Sequence, residues 1–293
     1  MIGVFDSGVG GLTVLRALHE RFPQLSFVYL ADHGNVPYGN RASEEIVELT
    51  RAGVEELFRR GAKLVVLGCN TATAVAARTL QRDWLPASGW VGRNVVGIVA
   101  PTVEAATQTP WAVTTPQYPQ KFNSDTIAVF GTYRTILAGV YPEEIGKRCP
   151  RVKVVQQVCA ELAGAIEDRA PADEIDRLVA QGVAGLIGQN GGQPPHKAIL
   201  GCTHFPLVEA HFRAHLPAFA RLLSQPGVVA DSLDDYLSRH PEYVDREAIP
   251  GVELLTTGEP ARVDETARIF WAQAPAFKAL NPDLRLVGAG GRI

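Results

Sequence analysis

Lys63-Leu-Val-Val-Leu-Gly-Cys-Asn-Thr-Ala72 and Lys197-Ala-Ile-Leu-Gly-Cys-Thr-His-Phe-Pro206 are the two stretches whose reading decides the fold. Each is a short apolar run closed by Gly-Cys and then by small polar residues that can donate hydrogen bonds. An unbroken apolar run of about 4–8 residues ending in a turn signal is the pattern of a strand buried on both faces of a parallel sheet. Ligands of open α/β sheets collect beyond the carboxyl ends of such strands. Cys69 and Cys202 are therefore expected at two strand tips, reaching one site from opposite sides.

Outward from these stretches, strand-like and helix-like segments alternate. Strands are expected at 2–5, 25–31, 63–68 and 95–99, with helices at 10–21, 43–60 and 72–82 between them. Leu12, Leu15 and Leu18 share one side of the first helix, while Ser43 followed by Glu44 and Glu45 suits an N-cap with negative charge in the first turn. This βαβα rhythm predicts a parallel sheet with helices on both faces. Residues 108–124 break the rhythm with prolines, glutamines and hydroxyl residues and read as a surface excursion. It resumes with a strand at 127–130 leading into a helix, a strand at 152–158 and a helix at 172–184. A loop at 189–195 precedes the Cys202 strand, and helices follow near 207–215 and 261–273, with apolar Val228-Val-Ala230 between them and a frayed tail at 288–293. The expected class is α/β: two similar halves with mainly parallel sheets, residues 1–96 plus 206–293 and residues 97–205, and an active site in the cleft between them.

Composition excludes several functions. The 293 residues are 46% hydrophobic and 20% charged with a net charge of −3, and the 22 arginines and 6 lysines form no basic run, so no nucleic acid partner is expected. No apolar stretch reaches the ~18 residues of a membrane span. Met1-Ile-Gly-Val-Phe-Asp6 enters a strand at once, without the parts of a secretion signal, so a cytoplasmic protein is expected. Widely spaced Cys69, Cys149, Cys159 and Cys202 then read as reduced thiols. Gly8-Val-Gly-Gly11 lacks the last glycine of a dinucleotide loop, since Thr13 stands there. No Gly-Lys-Ser/Thr, no short-spaced cysteine pair for zinc and no lysine in a convincing pyridoxal phosphate motif is present, so neither cofactor nor metal is expected.

Two thiols facing one substrate are a matched acid and base. One removes a proton from carbon and the other returns a proton to the opposite face, which inverts a stereocentre in either direction. A free thiol with a pKa of about 8.5 is mostly protonated at neutral pH and needs help. His204, two residues after Cys202, and Asp6, at the tip of the first strand, are the candidate helpers.

Phe5-Asp-Ser-Gly-Val-Gly-Gly-Leu-Thr13, Pro37-Tyr-Gly39, Gly68-Cys-Asn-Thr-Ala72 and Gly201-Cys-Thr-His-Phe-Pro206 together resemble glutamate racemases of the cofactor-independent aspartate/glutamate racemase family. Asp231-Ser232 and Thr256-Thr-Gly258 resemble that family's C-terminal landmarks. The resemblance implies that Cys69 and Cys202 are the catalytic acid/bases, assisted by Asp6, His204 and Glu167. It implies that Asp6, Ser7, Tyr38, Gly39, Asn70, Thr71, Thr203 and His204 hold the substrate, with Thr132 and Thr135 added by Gly131-Thr-Tyr-Arg-Thr135. The implied activity is conversion of L-glutamate to D-glutamate for peptidoglycan synthesis, with glutamate as the partner and a homodimer left open. Racemisation of aspartate, or a non-catalytic binding protein of the same fold, are the alternatives.

Overall fold

In the computed structural model, which describes residues 1–122, 125–245 and 247–280, the alternation resolves into two all-parallel sheets. The first part of the chain runs β1 (Ile2–Asp6), α1 (Leu12–Arg21), β2 (Ser26–Ala31), α2 (Ser43–Arg59), β3 (Leu64–Leu67), α3 (Asn70–Thr79), α4 (Leu85–Ala87) and β4 (Asn94–Gly97). It crosses to the second sheet through α5 (Val99–Thr107), followed by β5 (Thr126–Gly131), α6 (Tyr133–Leu137), α7 (Val140–Arg148), β6 (Lys153–Val158), α8 (Leu162–Glu167), α9 (Ala172–Gln189), β7 (Lys197–Gly201), α10 (Glu209–His215) and β8 (Arg221–Leu223). It returns through α11 (Gln225–Arg239), β9 (Gly251–Thr256), α12 (Pro260–Phe270) and β10 (Phe277–Ala279). The first sheet has the order β10-β9-β2-β1-β3-β4, and the second β6-β5-β7-β8.

Strands β1, β3 and β7 are buried at every position, as their unbroken apolar runs require. Helices cover both faces of the first sheet. On one face α2 lies so close that a Cβ at Gly53 would fall 2.2 Å from the Phe5 ring. Burying a ring of this kind contributes about 1.5–3 kcal/mol. The opposite face merges with the core of the second sheet, where Leu12, Leu15 and Leu18 of α1 join one cluster with Phe130, Leu200 and Phe205. No helix among the described residues is long and apolar enough to cross a membrane.

Three details differ from the expectations. Strand β8 lies beyond the boundary expected at 205 but pairs with β7, so the second sheet extends to Leu223. Three residues are too few to carry a periodic signal. Ser43 is the first residue of α2, Ala42 precedes it, and no side chain caps this end; Glu44 and Glu45 supply the favourable charge instead. The helix expected from 72 begins at Asn70, because Cys69 itself is the N-cap. Val228-Val-Ala230 lies within α11. Much of the 108–124 excursion is exposed turn and bend, anchored where Trp111 stacks on Arg148 at 4.4 Å. The tail at 288–293 lies outside the described residues.

Candidate active site

Asp6 ends β1 and Cys69 follows β3, while Thr132 follows β5 and Cys202 follows β7. In the first sheet β2 lies on one side of β1 and β3 on the other; in the second, β6 and β7 flank β5 in the same way. Both pairs of tips therefore stand where the strand order reverses, the crevice in which α/β sheets hold ligands. One cavity of about 280 Å³ is lined by residues of both crevices.

Of the residues singled out in the sequence, Ser7, Tyr38, Gly39, Cys69, Asn70, Thr71, Thr132, Glu167, Cys202, Thr203 and His204 line this cavity. Asp6 stands behind the wall, 1% exposed, and Thr135 is buried behind Thr71 and Thr132. Gly8, Val36, Pro37, Ala163 and Gly164 also line it and were not expected. Asp231 and Ser232 do not reach it: Asp231 pairs with Arg21 at 3.4 Å on the outer side of α11, and Ser232 lines a separate cavity of about 520 Å³. Thr257 donates to Asp32 Oδ1 at 2.7 Å, and Tyr38 donates to Asp32 Oδ2 at 2.6 Å, so this carboxylate ties the 33–40 segment to the end of β9. All four cysteines are free, and Cys149 and Cys159 do not line the cavity.

The two thiols sit in different surroundings. Cys69 Sγ accepts from the Ala72 N–H at 3.4 Å and lies 3.4 Å from Ser7 Oγ, at the positive end of α3. Burial, and then the Asp6 carboxylate beside it, outweigh these donors and push the Cys69 thiol up to about 12. Cys69 is thus a neutral thiol in the resting site. Asp6 accepts from the Gly8 N–H at 2.7 Å through Oδ1, while Oδ2 has no partner among the described residues. Burial raises its carboxyl above the usual range, which makes it a stronger base toward the neighbouring thiol.

Cys202 has a histidine instead. Its Sγ lies 3.6 Å from His204 Nδ1, and His204 Nε2 donates to Glu167 Oε1 at 2.6 Å. Burial alone would lower the His204 pKa, but the Cys202 sulfur and the Glu167 carboxylate together lift it to about 10. Burial works the other way on Glu167, and its bond to His204 still holds it below the usual range. Phe270 meets the imidazole edge-on at 5.0 Å and fixes the ring plane. At neutral pH His204 is therefore a cation that donates from both nitrogens, one toward sulfur and one toward carboxylate.

Small donors line the remaining walls. The hydroxyls of Thr71, Thr132 and Thr135 lie within 2.9–3.2 Å of one another and bridge α3 of the first half to α6 of the second. The carboxamide of Asn70 turns away from the cavity to Gln225 and Tyr141, and the Tyr38 hydroxyl is held by Asp32. What Asn70 offers a ligand is its backbone N–H at the start of α3, a geometry that favours anions.

The glycines after β1 have a steric reason. A Cβ on Gly10 would fall 2.4 Å from His204 Cε1 and 2.4 Å from Thr203 Oγ1, and one on Gly11 would fall 2.7 Å from Asp6 Cβ. Gly10→Ala is expected to push His204 off Glu167 and lower activity by about 10²-fold, the usual result of misplacing a catalytic group by an ångström. Steady-state kinetics of this variant at parental values would contradict the close approach.

No known family model matches the chain. Whole-length relatives do. The chain is 47% identical over 283 residues to the glutamate racemase of Phenylobacterium zucineum, covering 94% of the chain and 99% of the relative. It is 48% identical over 284 residues to that of a Caulobacter species, covering 95% and 99%. The chain belongs to the glutamate racemase family. Solved structures of glutamate racemases share its fold. An isoform from Bacillus anthracis superposes with a TM-score of 0.82 at 27% identity, covering 96% of this chain and 97% of that one. The enzyme from Thermus thermophilus, in complex with beta-chloro-D-alanine, gives 0.77 at 26% identity and 97% coverage of both. As a glutamate racemase family member the chain is an enzyme, an isomerase, and the expected α/β class with two mainly parallel sheets is the one observed.

Proposed function

We propose that the protein racemises glutamate without a cofactor, by two-base proton exchange across the 280 Å³ cavity. The observation that carries the reading is the presence of two thiols in one cavity, each beside its own acid–base partner: Asp6 for Cys69, His204 for Cys202. One thiolate takes the Cα proton, and its S–H bond forms as the C–H bond breaks. The electron pair passes into the substrate's α-carboxylate as an enediolate. The opposite thiol then gives its proton to the other face of Cα and becomes the thiolate, so the enzyme ends poised for the reverse direction.

The resting charges suit this scheme. Neutral Cys69 is the proton donor of one direction, and the His204 cation, 3.6 Å from the Cys202 sulfur, stands ready to offset negative charge on that side. For the other direction Asp6, with its raised pKa, accepts the Cys69 proton. The His204 cation, the N–H groups opening α3 and the threonine hydroxyls offset the charge of a dicarboxylate. A volume of about 280 Å³ fits a small amino acid, just below the ~300–1,000 Å³ range of pockets for larger ligands. The product, D-glutamate, would serve peptidoglycan synthesis in the cytoplasm.

Incubation of the enzyme in D₂O with L-glutamate and, separately, L-aspartate tests this. Deuterium at Cα together with the D-enantiomer is expected for glutamate. Inversion of aspartate at a higher kcat/KM would replace the substrate, and no exchange with either would leave a binding protein.

A further inference from the structure

Gln225 is 1% exposed and opens α11, where the chain returns from the second sheet to the first. Its carboxamide is fully engaged. Nε2 donates to Thr102 Oγ1 at 2.9 Å and Tyr141 OH at 3.1 Å and lies 3.1 Å from Asn70 Oδ1, while Oε1 accepts from Asn70 Nδ2 at 2.6 Å. Tyr141 OH closes the ring by donating to Asn70 Oδ1 at 2.8 Å. These four buried side chains come from α3, α5, α7 and α11, so the ring joins both halves of the molecule. It also joins both chain crossings, because the Thr102 hydroxyl donates to the carbonyl of Ile98, just after β4, at 2.7 Å.

The ring ends beside each thiol. Asn70 directly follows Cys69. The Tyr141 ring packs on Gly201, which directly precedes Cys202, with Cε2 3.6 Å from where a Cβ would stand. A link thus runs from Asn70, the neighbour of one cysteine, by a hydrogen bond to Tyr141 and then by packing of the Tyr141 ring to Gly201, the neighbour of the other. A buried polar ring of this kind is worth keeping only while every member is satisfied. Sequence separations such as the 155 residues between Asn70 and Gln225 show that it spans parts of the chain that only folding brings together.

We infer that Gln225 is a positioning residue for racemisation: its carboxamide holds the N-terminus of α3 against α7 and thereby sets the gap between the Cys69 and Cys202 sulfurs. This rests on the two-thiol reading above. A gap set too wide still lets the nearer thiol remove the Cα proton, but delays the proton that the farther thiol must deliver. The first thiol, once exchanged with solvent, then returns deuterium to the face it came from. Inversion slows while exchange with retention continues.

Gln225→Met keeps the length of the side chain and removes every hydrogen bond. It is expected to lower kcat by about 10- to 100-fold in both directions with little change in KM, the scale of a small misplacement of reacting groups. In D₂O the ratio of deuterium incorporated with retention to deuterium incorporated with inversion is expected to rise in the recovered glutamate. A folded variant with parental kcat, or with lowered kcat and an unchanged ratio, overturns the inference, since mere loss of stability scales exchange and inversion alike. If Gln225→Met does not fold, Tyr141→Phe decides: it removes one hydroxyl, keeps the ring on Gly201, and should move the ratio in the same direction. An unchanged ratio there overturns the inference too. Failure of the two-thiol reading is seen separately, as normal inversion by a Cys69→Ser or Cys202→Ser variant.

Discussion

Cys69→Ser and Cys202→Ser are each expected to stop inversion of glutamate while leaving the fold intact. Serine preserves the shape of the buried side chain, and at position 69 it is a good N-cap for α3, able to accept from the Ala72 N–H as the sulfur does. What it lacks is acidity: a hydroxyl is too weak an acid to give up its proton and too strong a base to exist as an anion here. The loss should be on the order of 10²–10⁴-fold or more, the scale of a missing general acid or base. The two variants should also differ. Each keeps one thiol with its own partner, so each should wash deuterium into one enantiomer of glutamate without inverting it, and the two should choose opposite enantiomers. Circular dichroism of the substrate and mass spectrometry of Cα deuterium read both effects. Interconversion near the parental rate by either variant, or exchange of the same enantiomer by both, would falsify the two-base scheme.

The second large effect concerns His204. Replacing it with Gln removes the only cationic side chain among the described residues lining the cavity and should lower turnover by on the order of 10²-fold. Its pH signature follows from the His204 pKa, lifted to about 10 from an ordinary 6.5. A histidine raised in this way contributes stability that is fully present below about pH 6.5 and is lost as pH rises through about 10. Turnover that depends on the imidazolium should fall over the same alkaline limb. Glu167→Gln removes a carboxylate that helps hold the proton, so in that variant the alkaline limb should move to lower pH. Profiles of kcat/KM against pH for parent and variant make the comparison, and coincident alkaline limbs would detach Glu167 from His204.

Legibility in the sequence followed physical locality. Strands β1, β3, β5 and β7 are continuous apolar runs buried on both faces, and each could be read from its own residues. Strands β8 and β10 are three residues long, and β9 is only half buried, so none carried a pattern. Asp231-Ser232 resembled a landmark in letters, yet the helix that holds it turns Asp231 toward Arg21. In the site, the thiols and the donors beside them were legible because each strand tip and the loop after it form one contiguous stretch. Tyr38 and Asn70 line the cavity, but the direction of their polar ends was not legible, since Asp32 and Gln225 decide it. Gln225 itself carries no motif.

By itself the sequence determined the α/β class, the pair of strand-tip cysteines and the chemistry that such a pair can perform, because apolar periodicity and turn residues act over a few neighbours. Tertiary structure alone decided that Asp6 stands behind Cys69 while Glu167 holds His204 against Cys202, and that Gln225 joins the two halves. These are contacts between residues distant in the chain. Their energies depend on burial and on separations of a few ångströms, quantities that exist only once the two sheets have packed together.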